Sequence, residues 1–282
     1  MMQAGLVYRE ASAEARDLAM ALAQWLVQRG VGVRTLDTQE PLPECAQCVE
    51  SEWSRGLQFA VVIGGDGTLL RAAQLIDSPE VLVVGVKLGG LGFLTEVKPD
   101  EVYGVLADLL EDKVRVTERM VLEGSIRNGA QVSRFRALNE IAITSAGMPR
   151  MVDLNAEIDG VFLTSFRADG LLVSTPTGST AYTMAAGGPI VHPGVRATII
   201  TQIAAHTLTS RPLVIPDGSA ITVRLARSTD NVHVAVDSQR SWPFALGQTL
   251  EIRAAEKGLS LVGSPSMSYY DILRTKLRWG ER

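Results

Sequence analysis

Phe59 to Arg71 reads FAVVIGGDGTLLR, and this stretch constrains the architecture more than any other. Its nearly unbroken apolar run, closed by glycines, suits a parallel-sheet strand buried on both faces. TLLRAAQLI then carries helical spacing. A buried strand turning tightly into a helix is the repeating unit of α/β proteins. Glycines and a helix start favour an anion in such a turn. Asp66 adds a negative charge at the same place, and that charge needs a reason.

The flanking sequence extends the pattern. GLVYRE and VGVRTLD read as strands, and SAEARDLAMALAQWLVQRG as a helix with a serine start and a glycine stop. VLVVGVKL reads as a further strand, and PDEVYGVLADLLEDK as a helix after a proline. Residues 1–115 are therefore expected to form an α/β domain with a mostly parallel sheet. The character then changes. VRVTERMVLEGSIRN, DLNAEIDGVFLTSF, SAITVRLA and NVHVAVD show short β-type alternations between Asp/Gly turns, so residues 116–260 are expected to be β-rich. VRATIITQIAAHTLT is read as the main helix of this part, against the preference of its β-branched residues. PSMSYYDILRTKLRW, in a C-terminal segment 261–282, again has a helical pattern.

With 27 Lys+Arg against 31 Asp+Glu, the net charge of -4 disfavours a broad nucleic-acid face. No apolar run reaches membrane-spanning length, and MMQAGLVYRE lacks a basic stretch followed by an apolar one. The expectation is a soluble cytoplasmic protein that engages neither nucleic acid nor membrane. Cys45 and Cys48 form a single CAQC pair with no second ligand pair and no His-rich patch nearby, so they read as plain cysteines and no protein-built metal site is expected.

Three turns carry the chemistry. In GGDGT, Gly64 and Gly65 let a ligand approach the backbone, and Thr68 can bind phosphate or start the helix. Asp66 caps that helix, meets a phosphate-bound Mg2+, or accepts the proton of a hydroxyl attacking phosphorus. The GKS/T ending of a Walker A loop is absent. KLGGLGFL, Lys87 to Leu94, follows the next strand, so both turns should fall on one sheet edge, where ligands gather. Phe93 there packs in the core or against an adenine ring. DGLLVSTPTGSTAY runs from Asp169 to Tyr182. Pro176 restrains its turn, Gly178 relaxes it, and Thr177, Ser179 and Thr180 crowd hydroxyls together. That suits a pyrophosphate or ribose, with Asp169 accepting from ribose hydroxyls, or else a tight structural turn. Asn139–Glu140, ahead of an apolar run, either close a turn or recognise a sugar or base edge.

GGDGT (64–68), LGGLGFL (88–94), NE (139–140) and DGLLVSTPTGSTAY (169–182) together resemble the NAD kinases over the full length of the chain. GGDGT alone is less specific, because lipid kinases of the diacylglycerol and sphingosine type carry similar turns; TPTGSTAY with the upstream NE separates the two. The resemblance implies transfer of the terminal phosphoryl group of ATP, or of polyphosphate, to the 2′-hydroxyl of the adenosine ribose of NAD+, giving NADP+. It implies a C-terminal segment returning to the first domain, and Asp66 as general base with Gly67 beside the dinucleotide. Gly64, Gly65 and Thr68 would hold the donor phosphates with Mg2+ or another divalent cation, bound mainly through those phosphates. Phe93, Asn139 and Glu140 would contact the adenosine part of NAD. Asp169 and the run Thr177, Gly178, Ser179, Thr180, Ala181 and Tyr182 would contact the rest, in part across a subunit boundary of a homodimer or homotetramer. Arg71, Arg150, Arg167 and Gln239 also fall where the family places ligand contacts. Two positions depart from the family pattern: Lys87 stands where Asn is more usual, and Ser238 replaces glycine in a DGQ-like element.

Overall fold

The computed structural model describes residues 1–282 apart from 77, 146–150, 208, 228–230 and 280–282. Its contacts divide the chain into two compact units, Met1–Glu118 together with the chain from Leu259 onward, and Arg119–Gly258.

The first unit runs β1 (Gln3–Tyr8), α1 (Ala13–Val27), β2 (Gly32–Leu36), β3 (Ala46–Cys48), α2 (Glu50–Trp53), β4 (Phe59–Gly64), α3 (Asp66–Ala73), β5 (Leu82–Lys87), α4 (Val102–Leu110) and β6 (Val116–Arg119). The second holds β7 (Leu122–Asn128), β8 (Gln131–Ala137), β9 (Glu140–Ser145), β10 (Val152–Ile158), β11 (Val161–Ala168) and β12 (Gly170–Ser174). A 3-10 turn (Thr177–Thr180) and the short α5 (Tyr182–Ala185) follow β12. The unit then continues through β13 (Ala197–Ile203), β14 (Leu213–Pro216), β15 (Ile221–Leu225), β16 (Val232–Val236), β17 (Arg240–Pro243) and β18 (Thr249–Ala254). β19 (Leu259–Val262) and α6 (Tyr269–Leu277) belong to the first unit.

The first sheet has the order β3-β2-β1-β4-β5-β19-β6. Its β1, β2, β3, β4, β5 and β19 pair in parallel. All six residues of β4 are buried, which is why its sequence lacks alternation. β19 lies beside β5, with Leu261 opposite Val83, so the chain re-enters this sheet after the whole second unit. Ser12 Oγ accepts from Ala15 N–H at the start of α1, and Ser268 and Asp271 form a capping box on α6.

The second unit contains two six-stranded sheets, β11-β10-β15-β18-β7-β8 and β14-β13-β12-β9-β16-β17. One apolar cluster draws Ile126, Val223 and Leu250 from the first and Ile143, Val173 and Val234 from the second. Phe135 of β8 stacks on Trp242 of β17 with ring centroids 4.7 Å apart. An α/β unit with a parallel sheet and a β-rich unit are thus the fold, as expected.

The helix expected in VRATIITQIAAHTLT is absent: Ala197–Ile203 is strand β13, antiparallel to β12 and β14. Five of its seven residues, Thr198, Ile199, Ile200, Thr201 and Ile203, are β-branched. Such side chains lose rotamer freedom in a helix and pack well on a pleated surface. Residues 197–201 are buried in succession, so no polar alternation marked a strand. Ile200 is in the shared core. Ile200→Ala should destabilise the protein by roughly 2–5 kcal/mol, measured by urea unfolding.

Candidate functional site

In the first unit the sheet's strand order reverses between β1 and β4: β2 and β3 follow on one side, β4 and β5 on the other. Ligand crevices in open α/β sheets form at the carboxyl ends of strands at such a switch point. The GGDGT turn is there. Gly65 precedes α3 with no side-chain cap, so backbone N–H groups of the first turn carry no side-chain acceptor.

Asp66 is the first residue of α3, and its carboxylate does not cap that helix. Oδ2 accepts from Phe93 N–H at 2.9 Å. Oδ1 accepts from Leu94 N–H at 3.2 Å, Thr95 N–H at 3.1 Å and Thr95 Oγ1 at 2.9 Å. The second glycine turn is therefore folded around the charge of the first. Gly92 is what allows it: a Cβ there would lie 2.1 Å from Asp66 Oδ1. Gly67 is exposed, and a Cβ on it would meet no atom within 4 Å. Thr68 is half-buried beside it. Phe93 is half-buried, with Lys276 Nζ of α6 5.8 Å from its ring centroid. Arg71 pairs within the unit, to Glu10 at 3.3 Å and Glu50 at 3.6 Å.

In the second unit β9 and β12 are antiparallel neighbours with Glu140 opposite Ser174, which sets the NE turn beside the TPTGST turn. Thr175 locks the two together. Its N–H donates to Asn139 O at 2.9 Å and its Oγ1 to Leu138 O at 2.6 Å, while Gly178 N–H donates to Thr175 Oγ1 at 3.0 Å. A Cβ on Gly178 would stand 2.1 Å from Asn139 O. Not every hydroxyl of this turn is offered outward. Ser179 Oγ donates to Pro176 O and accepts from Val191 N–H, and Thr180 Oγ1 donates to Thr177 O. Thr177 Oγ1 and Glu140 Oε2 are buried without a hydrogen-bond partner. Buried polar atoms are seldom left so, and a bound ligand would satisfy them.

Asp237 organises this end of the sheet. Its carboxylate accepts from Leu138 N–H at 2.8 Å, Asn139 N–H at 2.8 Å and Glu140 N–H at 3.0 Å. In the DGQ-like element Asp237–Ser238–Gln239 the ligand contact expected from sequence is Gln239, which is exposed at the same end. Asp237 and Ser238 have φ of 48° and 55°, a region that favours glycine, so Ser238 keeps a turn glycine would enter more easily. Ala181 is half-buried between the 3-10 turn and α5, and Tyr182 is exposed. Asp169, half-buried, lies at the opposite end of β12, whose five residues span ~17 Å. Arg167 of β11, exposed, is 4.0 Å from Asp153. Neither is brought to the NE turn within the unit. Arg150 lies outside the described residues.

Burial raises the Glu140 carboxyl first, and the Asp237 charge raises it further, to about 7; a hydrogen bond from the Tyr182 backbone opposes them. A folded-state value above the unfolded one means that the folded protein holds this proton longer. The stability this group contributes is thus fully present below about pH 4.5 and is lost as pH rises to about 7, by roughly 3 kcal/mol. Glu140→Gln cannot ionise. Urea unfolding at pH 4.5 and pH 8 should show stability shifting in favour of the variant by that amount; a pH-independent difference would contradict the assignment.

Among the described residues no group of three or more His, Cys, Asp or Glu could hold a metal ion, and no helix is long and apolar enough to cross a membrane. Cys45 and Cys48 are free thiols, Cys48 ending β3.

Residues 4–114 match the family model described as the ATP-NAD kinase N-terminal domain, and residues 138–264 the ATP-NAD kinase C-terminal domain. Curated relatives include the NAD kinase of Syntrophobacter fumaroxidans, 38% identical over 282 residues and all of both chains. Another is the NAD kinase of Geobacter sulfurreducens, 46% identical over 225 residues and 79% of each chain. Among solved structures, yeast NADH kinase complexed with NADH superposes with a TM-score of 0.89 at 24% identity, covering 100% of this chain and 89% of that one. An NAD kinase from Archaeoglobus fulgidus in complex with ATP gives 0.78 at 26% identity, covering 98% and 99%. With both halves of the family signature matched and relatives alike from end to end, the chain belongs to the NAD kinase family of phosphotransferases.

Proposed function

We propose that the chain transfers the terminal phosphoryl group of ATP to the 2′-hydroxyl of the adenosine ribose of NAD+, giving NADP+, with Asp66 as general base. The observation that carries this reading is the asymmetry of the Asp66 carboxylate: Oδ1 accepts three hydrogen bonds and Oδ2 one. Oδ1 orients the group while Oδ2 keeps acceptor capacity for a proton. The 2′-oxygen then bonds to phosphorus, the bridging P–O bond to ADP breaks, and the hydroxyl proton passes to Oδ2. Such transfers depend on alignment and charge stabilisation more than on covalent chemistry, so a rigidly held base is apt.

Gly64, Gly65 and Thr68 hold the donor phosphates in this reading, with Gly67 against the dinucleotide. Mg2+ or another divalent ion would be carried mainly by those phosphates. That ion supplies charge neutralisation on the donor. The ATP complex of the Archaeoglobus fulgidus relative supports ATP as donor, with polyphosphate a further donor. Phe93, Asn139 and Glu140 take the adenosine. The orphaned Thr177 Oγ1 and Glu140 Oε2 are the polar atoms a dinucleotide would satisfy. Asp169, Arg167 and Tyr182 complete its contacts from a second subunit of a homodimer or homotetramer. That arrangement is consistent with Asp169 lying at the far end of β12. Location in the cytoplasm goes with such substrates.

Two substitutions test this. Asp66→Asn should lower NADP+ formation about 10²–10⁴-fold. Asparagine also presents an amide where the loop needs an acceptor, so Phe93–Thr95 should loosen, seen as faster amide exchange. Gly67→Ala separates chemistry from folding. A methyl in open space on a helix should raise stability by up to about 1 kcal/mol, yet turnover should fall at least tenfold as the methyl meets the dinucleotide. Unchanged kinetics in Gly67→Ala, or near-normal turnover in Asp66→Asn, would overturn the corresponding role.

A further inference from the structure

The chain after β19 is tied to the first unit at several points. Arg115 donates to Ser264 O at 3.1 Å and to Met267 O at 3.2 Å. The Glu101 carboxylate, just before α4, accepts from Ser264 Oγ at 3.4 Å and from Ser266 Oγ. α6 then starts at its Ser268–Asp271 capping box and buries Ile272 and Leu273. Lys276, one turn beyond those two residues, is exposed, and its Nζ lies 5.8 Å from the centroid of the Phe93 ring. The backbone of that same Phe93 donates to Asp66 Oδ2 at 2.9 Å. A single residue thus touches the Asp66 carboxylate with its backbone and meets a cation from the end of the chain with its ring.

Nothing in the unit holds that cation firmly. The separation is at the outer limit over which an ammonium feels an aromatic face, and Lys276 has no ion-pair partner among the described residues. Other cations are engaged: Arg274 of α6 pairs with Asp271, and Arg71 of α3 with Glu10 and Glu50. The transfer proposed above creates a need for a free positive charge at this place. It leaves a phosphate on the 2′-oxygen that faces Asp66. Once Oδ2 releases the proton it took, two anions adjoin. The N–H groups of residues 93–95 balance the Asp66 carboxylate, not the new phosphate. A lysine on a flexible four-carbon stem suits a charge that appears only after transfer.

We propose that Lys276 receives the 2′-phosphate of the product, moving from the Phe93 face to that phosphate, so that the C-terminal helix makes the site distinguish NADP+ from NAD+. This rests on Asp66 facing the 2′-hydroxyl and Phe93 packing on the adenosine. It adds a specificity-determining residue that contacts only the phosphorylated form, contributed by a helix outside every glycine-rich turn.

NAD+ and NADP+ differ only by the 2′-phosphate, so the ratio of their affinities isolates it. Isothermal titration of each against the intact protein, without donor, is the measurement. Lys276→Met should weaken NADP+ about tenfold and leave NAD+ within about twofold, and Lys276→Arg should keep most of the NADP+ affinity. The difference between parent and Lys276→Met should shrink as salt is raised. Methionine retains an apolar stem against Phe93, so a role in packing alone would move both ligands together. Thermal unfolding of each variant confirms that it is folded. The role is overturned if folded Lys276→Met keeps the parent's NADP+ to NAD+ affinity ratio, whether both ligands weaken equally or neither does. NADP+ formation by the parent from NAD+ and ATP is scored separately. A parent that makes no NADP+ sinks the kinase reading, while a ratio that still falls in Lys276→Met leaves the phosphate contact standing. A parent that makes NADP+ while the ratio is unchanged sinks the Lys276 role alone.

Discussion

The carboxylate of Asp66 and the backbone donors of Phe93, Leu94 and Thr95 hold the first unit's functional edge together. One side chain replaces the tertiary contacts that two glycine-rich turns, poor in side chains, could not make themselves. A turn made mostly of glycine keeps its backbone bare, so little is left to pack it. A single charge accepting four hydrogen bonds supplies that order, and Gly92 leaves the volume the charge occupies. The negative group at the start of α3 is therefore the organiser of the neighbouring loop.

The second unit repeats the device with different parts. Asp237 gathers the N–H groups of residues 138–140, and Thr175 ties the resulting turn to the one that follows β12. Again a polar side chain orders two loops by satisfying their backbone groups, and again a glycine, Gly178, admits the close approach. Glu140 is confined between that carboxylate and the core, which makes ionising it costly. Polar groups with no internal partner, Thr177 Oγ1 and Glu140 Oε2, remain where the ordering is complete.

Much of this was readable along the chain. Strand β4, its turn and α3 follow from local apolar patterning and glycine placement, as do α1 from its serine start and α6 from its helical pattern. The strand β13 was misread because continuous burial removes the alternation that distinguishes a strand from a buried helix, leaving only β-branching as a signal. The hydroxyl of Ser179, for which local sequence allows a ligand or a structural role, accepts from Val191 N–H. A hydroxyl's partner twelve residues away is set by where the chain returns, and local sequence does not encode that.

The sequence by itself determined an α/β unit followed by a β-rich one, and the family, because short motifs of glycine, aspartate and hydroxyl residues have local backbone requirements that few other residues meet. Only the tertiary structure decided which of those residues meet. It took Asp66 to a loop 27 residues away and Asp237 to a turn nearly a hundred residues earlier. It put Asp169 at the opposite end of β12 from Thr177. Those pairings come from strand register and sheet order, which arise from burying whole faces against one another and leave no mark at the individual positions they join.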